Sequence, residues 1–442
     1  MPALAGNHDK TSRVPQEFSE AEDEEFFTEK RKRASLDKER AELERRARYV
    51  RFEYPDGVER VSAEYRLLAE DCFREPGDSG SPQLERPPWY DGRLFREGQR
   101  VARDYGAGLA EAELVSLFLQ YAVPLGMDPL VATGWSDDPE SAGQRYLAAS
   151  KRMLTWYESD PFDASSEAYR NMVLVRGMHA RIRKLCNEAS PEDLAGMFTI
   201  GKGQTEKLMC PGTHFYDKTF AALPSGAYLG PCPALRNPAD GELSLGVVKL
   251  HADPYRRPFM TQGEMAVSQW GFFAVFALKP QVFGAPYISR AEVEALVHLW
   301  AVIGYCLGIE DRFNFALGGL EKVLRRSETY LRTVAVPNLQ TLGRQGSARW
   351  EHMCRCMVEG IALATPLPPF EVHLAYLLED VLGMGQAAAD IVGALSWRQT
   401  VELWKLRLLL RGLPRCLPAS SRWLARGLAT IISADNWRKR AV

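Results

Sequence analysis

The segment Asn171-Met-Val-Leu-Val-Arg-Gly-Met-His-Ala-Arg-Ile-Arg-Lys184 decides how this chain is read. Met172, Val175, Met178, Ile182 and Cys186 recur at intervals of three and four, which predicts a helix with one apolar stripe. His179 lies on that stripe, while Arg170, Arg181 and Lys184 point away from it. A histidine on an apolar face has two readings. It is a core residue satisfied by nearby carbonyls, or a neutral imidazole held toward a metal or a buried substrate. Ser165-Ser166-Glu167 supplies the cap of this helix.

The same period continues on both sides. Upstream it predicts helices over 94–105, 111–123 and 143–157, the last capped by Ser141, with a turn at Pro87–Gly92 and a further helix over Ser62–Cys72. Downstream it predicts helices over 191–198, 261–278, 290–307 (capped by Ser289), 317–333, 347–364, 369–382, 385–395, 397–412 and 420–432. No sustained alternation and no fixed-length repeat appears. The expected fold class is therefore mainly α, a multi-helix globular bundle. Residues 1–48 are dense in both charges and are expected to be a partly disordered extension, with a solvated helix over Phe26–Tyr49. Residues 49–442 are expected to form a single helical domain. Residues 199–259 interrupt it, rich in Gly, Pro and Cys, with a short strand over Leu243–Leu250. That stretch is too long for a plain connection and reads as an insertion or lid.

Composition narrows the function classes. The 442 residues are 46% hydrophobic and 25% charged, and a net charge of −2 gives no global field to recruit nucleic acid. The eight cysteines are scattered and no apolar signal segment precedes them, so reduced thiols and an intracellular, cytoplasmic setting are expected. No apolar run reaches about 18 residues, so no membrane span is expected; Trp270–Leu278 and Ala295–Ile309 come nearest. The Trp397–Leu417 region carries Leu406, Leu408, Leu409 and Leu410 among basic residues. It reads as core packing in preference to a helix on a membrane surface.

Several chemistries lack their residues. There is no Gly-x-Ser-x-Gly elbow, no Glu-x-x-His pair for two irons, and no tight spacing among the seven histidines for zinc. Gly201-Lys-Gly203 lacks the continuation of a phosphate loop. His352 with Cys354-Arg-Cys356 lacks a second cysteine pair. A haem asks for less: one axial histidine, an apolar pocket and basic residues for the propionates. His179, flanked by Arg176 and Arg183, meets that minimal demand.

Four stretches then carry a resemblance. They are Pro88-Trp-Tyr-Asp91, Arg145-Tyr146-Leu147, Val175-Arg-Gly-Met-His-Ala-Arg181, and His298-Leu-Trp-Ala-Val-Ile-Gly-Tyr-Cys-Leu-Gly-Ile-Glu-Asp-Arg-Phe-Asn314, with Gln269-Trp270-Gly271-Phe272 between the last two. In this order and separation the chain resembles the family that groups latex-clearing rubber oxygenases with an endoplasmic-reticulum-bound oxygenase of mycophenolic acid biosynthesis and its relatives. The resemblance spans about residues 85 to 365. It implies a globin-like helical core, haem b and its iron, His179 as the proximal ligand and Arg145 as a haem-pocket residue. Those oxygenases carry a Lys-Thr pair just after that Arg; here Ala148 and Ala149 stand in its place. His298 either lines the haem pocket or is a surface histidine. Trp89 and Tyr90 read as packing anchors.

The expected activity is that of a haem-dependent oxygenase acting with dioxygen on a small apolar, unsaturated, isoprenoid- or lipid-like substrate. The alternative is a helical haem- or lipid-binding protein without turnover. Peripheral association with a membrane such as the endoplasmic reticulum, and the oligomeric state, stay open.

Overall fold

The computed structural model describes residues 29–53, 71–82, 85–123, 126–200, 249–345 and 348–433. Most of the expected Ser62–Cys72 helix, the stretch 201–248 and the first part of the expected 243–250 strand lie outside them. Side-chain caps set several helix starts. Asp91 accepts from the amides of Arg93 and Leu94 and opens α2 (Gly92–Asp104), after α1 (Glu29–Ala47) and the short strand β1 (Val50–Glu53). α3 (Gly106–Ala122) and the short α4 (Asp128–Ala132) follow. α5 (Pro139–Trp156) starts earlier than expected. Asp138, not Ser141, is its cap, and the Ser141 amide donates to the Asp138 carboxylate. Ser166 caps α6 (Glu167–Glu188), the helix of His179. α7 (Pro191–Met197) and β2 (Lys249–Ala252) precede α8 (Gln262–Leu278) and α9 (Arg290–Cys306). Thr261 and Ser289 begin these two helices with reciprocal bonds to Glu264 and Glu292.

The chain continues as α10 (Leu320–Tyr330), α11 (Val336–Gln345), α12 (Ala348–Ala362), α13 (Phe370–Tyr376), α14 (Gly385–Ala394), α15 (Trp397–Arg407), α16 (Leu413–Cys416) and α17 (Ser420–Ser433). A π turn over Leu331–Ala335 joins α10 to α11, so the helix does not stop at Thr333. Pro337 cannot donate to the ladder, and the wider turn ahead of it absorbs the break.

The class is mainly α, as the 3.6-residue spacing implies. β1 and β2 pair antiparallel, Val50 opposite Ala252 and Glu53 opposite Lys249. Four residues on each strand are too few to display an alternating pattern. One expectation needs correcting. α1 is not solvated all round, because Leu36 and Leu43 are buried and Glu39 pairs with Arg183. The end of the 199–259 stretch belongs to the body of the fold: Arg257, fully buried, bonds Asp128 and Glu264.

Packing rests on close helix pairs. α2 lies on α9, α5 on α12 and α3 on α8. A Cβ at Gly98 would stand 2.3 Å from the Ala295 carbonyl oxygen, and one at Gly360 would stand 2.3 Å from that of Pro139. These glycines set the depth of two contacts. Trp270, Trp300 and Trp350 fill the interior.

Candidate active site: a cavity behind His179

α3, α5, α6, α8 and α9 enclose a cavity of about 1920 Å³. Small-molecule pockets run to roughly 300–1,000 Å³, so this one has room for more than a single small ligand. α6 presents Val175, Met178, His179 and Ile182, the stripe read from the sequence. α5 contributes Arg145, Ala148, Ala149 and Arg152, and α3 contributes Glu113 and Tyr121. Phe272 and Trp300 stack with ring centroids 4.8 Å apart on the opposite side.

His179 is held neutral. Burial, and then the positive charges of Arg183 and Arg145, push its pKa from 6.5 down to about 4. Its Nδ1 is buried and has no hydrogen-bond partner among the described residues. An imidazole in that state lacks the partner that buried polar groups normally find. A metal ion or a polar ligand atom would supply one.

The other polar groups on the wall differ in how they are held. Arg145 donates to the hydroxyl of buried Ser136, at the edge of the cavity. The Tyr121 and Tyr146 hydroxyls bond one another, and burial raises both pKa values. Glu113 makes no hydrogen bond or ion pair among the described residues. Burial alone drives its pKa well above the ordinary carboxyl value. Burial also lowers the pKa of Arg152. The sequence reading passed over Glu113. The available signal was an acid two residues from Glu111 inside an apolar helix; Glu111 is paired with His373 at 2.8 Å, and Glu113 is not.

Of the residues chosen from the sequence, His179 and Arg145 line the cavity. Arg176, Arg183 and His298 do not. Arg176 is buried against Asp78 and donates to the Ser81 carbonyl at 2.9 Å. Arg183 bonds Glu39 at 2.6 Å. His298 accepts from the Asp91 amide at 3.2 Å, with the Trp89 ring edge-on at 5.9 Å. The spacing on α6 could not separate these arginines from cavity groups, because their partners lie 95 or more residues away in sequence.

Several residues of the resemblance motifs also bond one another. Trp89 donates from Nε1 to Asp311 at 2.9 Å. Gln269 Nε2 donates to the Trp300 carbonyl and to Asn314 Oδ1, and Gln269 Oε1 accepts from the Phe315 amide. These motif residues pin α2, α8 and α9 to the loop after α9. The Arg145 and His179 stretches face the cavity, and so do Gln269, Phe272, Trp300 and Ile303 from the other motifs.

Among the described residues no group of three or more His, Cys, Asp or Glu is placed to hold a metal ion. His352 instead meets the Asp137 carbonyl at 2.9 Å, beside Cys356. No helix of the described residues is long and apolar enough to cross a membrane. Set against models of known protein families, curated proteins and solved structures, the chain has no match in any of the three.

Proposed function

We propose that the cavity holds haem b and that the protein is a haem-dependent oxygenase acting on an apolar, unsaturated substrate. One observation carries this reading: a neutral histidine with an unpartnered buried ring nitrogen stands on the wall of a large, mostly apolar cavity. A single neutral imidazole is all that a haem iron requires from the chain, so the lack of a multi-residue metal cluster is compatible with it. His179 is the residue that holds the iron, and Arg145, Arg152 and Arg181, the last of which helical spacing points away from the stripe, are wall cations for the propionates. Arg176, Arg183 and His298 have other partners and drop out of that role. When bound, the group supplies activation of dioxygen for oxidative cleavage of a C=C bond.

The chain's own residues do the rest. Met178, Ile182, Phe272 and Trp300 exclude water and favour a hydrocarbon substrate. Glu113, whose carboxyl pKa burial raises well above the ordinary value, is the wall group best suited to donate a proton.

A second reading rests on Ala148 and Ala149, which line the cavity where rubber oxygenases carry Lys and Thr. Two methyl groups offer no hydrogen bond to a ligand there, which favours a haem- or lipid-binding protein without turnover. Titration of the purified chain with haemin, read by its Soret band and a pyridine haemochrome assay, tests the first step. One haem per chain is expected, and the absence of a Soret band refutes the cofactor. With haem bound, incubation in air with an unsaturated isoprenoid separates the two readings. A carbonyl product supports the oxygenase, and none supports the binding protein.

A further inference from the structure

The C-terminal helices leave apolar side chains in solvent in a regular pattern. On α15, Trp397, Val401, Trp404 and Leu408 follow at steps of four, three and four, so they share one face. That face is exposed: Trp397 by 72%, Trp404 by 64% and Leu408 by 56%. On α17, Trp423 is 61% exposed. The core-packing reading of this region holds for Leu403, Leu406 and Leu410, which are buried.

Two further observations say what covers this face. First, the cavity opens beside it: Leu409, next to Leu408, and Trp423 line the cavity and are also exposed, so they stand at a mouth. Second, the charge around it is one-sided. From 397 to 433 the sequence has seven Lys or Arg and one acid, Glu402. Lys405, Arg407 and Arg411 are engaged with Glu402, Glu379 and Asp380. Arg398, Arg415, Arg422 and Arg426 are exposed and have no carboxylate partner among the described residues.

We propose that the α15–α17 face docks on an anionic lipid surface and sets a mouth of the cavity against the membrane. Tryptophan and leucine on one helix face, ringed by arginine, match the composition of an interfacial helix. Arginines near the surface are attracted by acidic headgroups. A second copy of the chain fits less well, because a symmetric contact would bring like charges together. A lipid-soluble ligand reaches the cavity from the bilayer without crossing water. The proposal does not depend on haem, since docking is read on the cofactor-free chain.

The test is co-sedimentation of the full chain with vesicles of phosphatidylcholine alone or mixed with phosphatidylglycerol. Tryptophan emission gives a second readout that needs no variant. Binding to mixed vesicles with a blue shift is expected, weakening as salt is raised. The combined substitution Trp397→Gln, Trp404→Gln and Leu408→Gln lies on an exposed face. It should lower partitioning by more than about tenfold while the circular dichroism stays unchanged. Each of Arg415→Gln and Arg422→Gln should weaken binding to mixed vesicles about fivefold. No binding and no blue shift with mixed vesicles would overturn the proposal. So would a dimer in sedimentation velocity that the triple substitution turns into a monomer, because a second copy would then be the occupant.

Discussion

Buried polarity is treated in opposite ways in two regions of the molecule. At the loop after α9, the amides of Gln269 and Asn314 are bonded to Trp300, Ala301 and Phe315. Across the cavity, His179 has a buried nitrogen with no partner, and Glu113 has no hydrogen bond or ion pair among the described residues. Buried polar groups are normally paired, and a protein keeps the exceptions where something else will meet them. The first region builds the fold. The second is shaped for a ligand.

Substitutions should separate the two regions, and the largest effect belongs to a structural arginine. Arg176→Ala leaves Asp78 buried without its cation and should cost roughly 3–5 kcal/mol in urea unfolding. A loss of under about 1 kcal/mol would return Arg176 to the list of ligand-binding groups. Gln269→Ala removes three buried hydrogen bonds and should cost about 3 kcal/mol in the same measurement.

On the cavity side the effects depend on pH. His179 stays neutral in the fold down to about pH 4, but protonates near 6.5 when the chain unfolds. Between those values the unfolded chain holds the extra proton, so stability is complete above about 6.5 and falls as the solution is acidified toward 4. The drop amounts to as much as about 3 kcal/mol. His298 and His352, also lowered by burial, add the same sign. His179→Leu should therefore flatten part of the acid-side slope in denaturant titrations. A slope identical to that of the parent would show that the ring reaches water.

Glu113 gives the smallest effect, of opposite sign. Its folded pKa lies well above 4.5, so its contribution is complete below 4.5 and is lost as pH rises. Glu113→Gln keeps the shape without the titration. It should be more stable than the parent at pH 8, with the difference closing near pH 4.5, as measured by urea denaturation at the two pH values. No gain at pH 8 would mean that the carboxylate is ionised in the fold.

Much of this was readable in the sequence, for physical reasons that differ by residue. Helical spacing on α6 places His179 on a buried face, because period 3.6 reports burial directly. The same spacing says nothing of Arg176 and Arg183, whose roles depend on Asp78 and Glu39 from distant segments. Glu113 was hidden because an acid inside an apolar helix looks alike whether it is paired, as Glu111 is, or left to a cavity. The exposure of the α15 face is not legible in the sequence, because an amphipathic pattern shows which side is apolar and not what covers it.

The central claim is that His179 holds an iron in this cavity, and imidazole rescue tests it most directly. The parent chain should bind haem with the spectrum of a single axial histidine. His179→Gly should lose that spectrum, and millimolar imidazole, refilling the space of the missing ring, should restore it. A His179→Gly chain that binds haem with the parent's spectrum and without added imidazole would contradict the account.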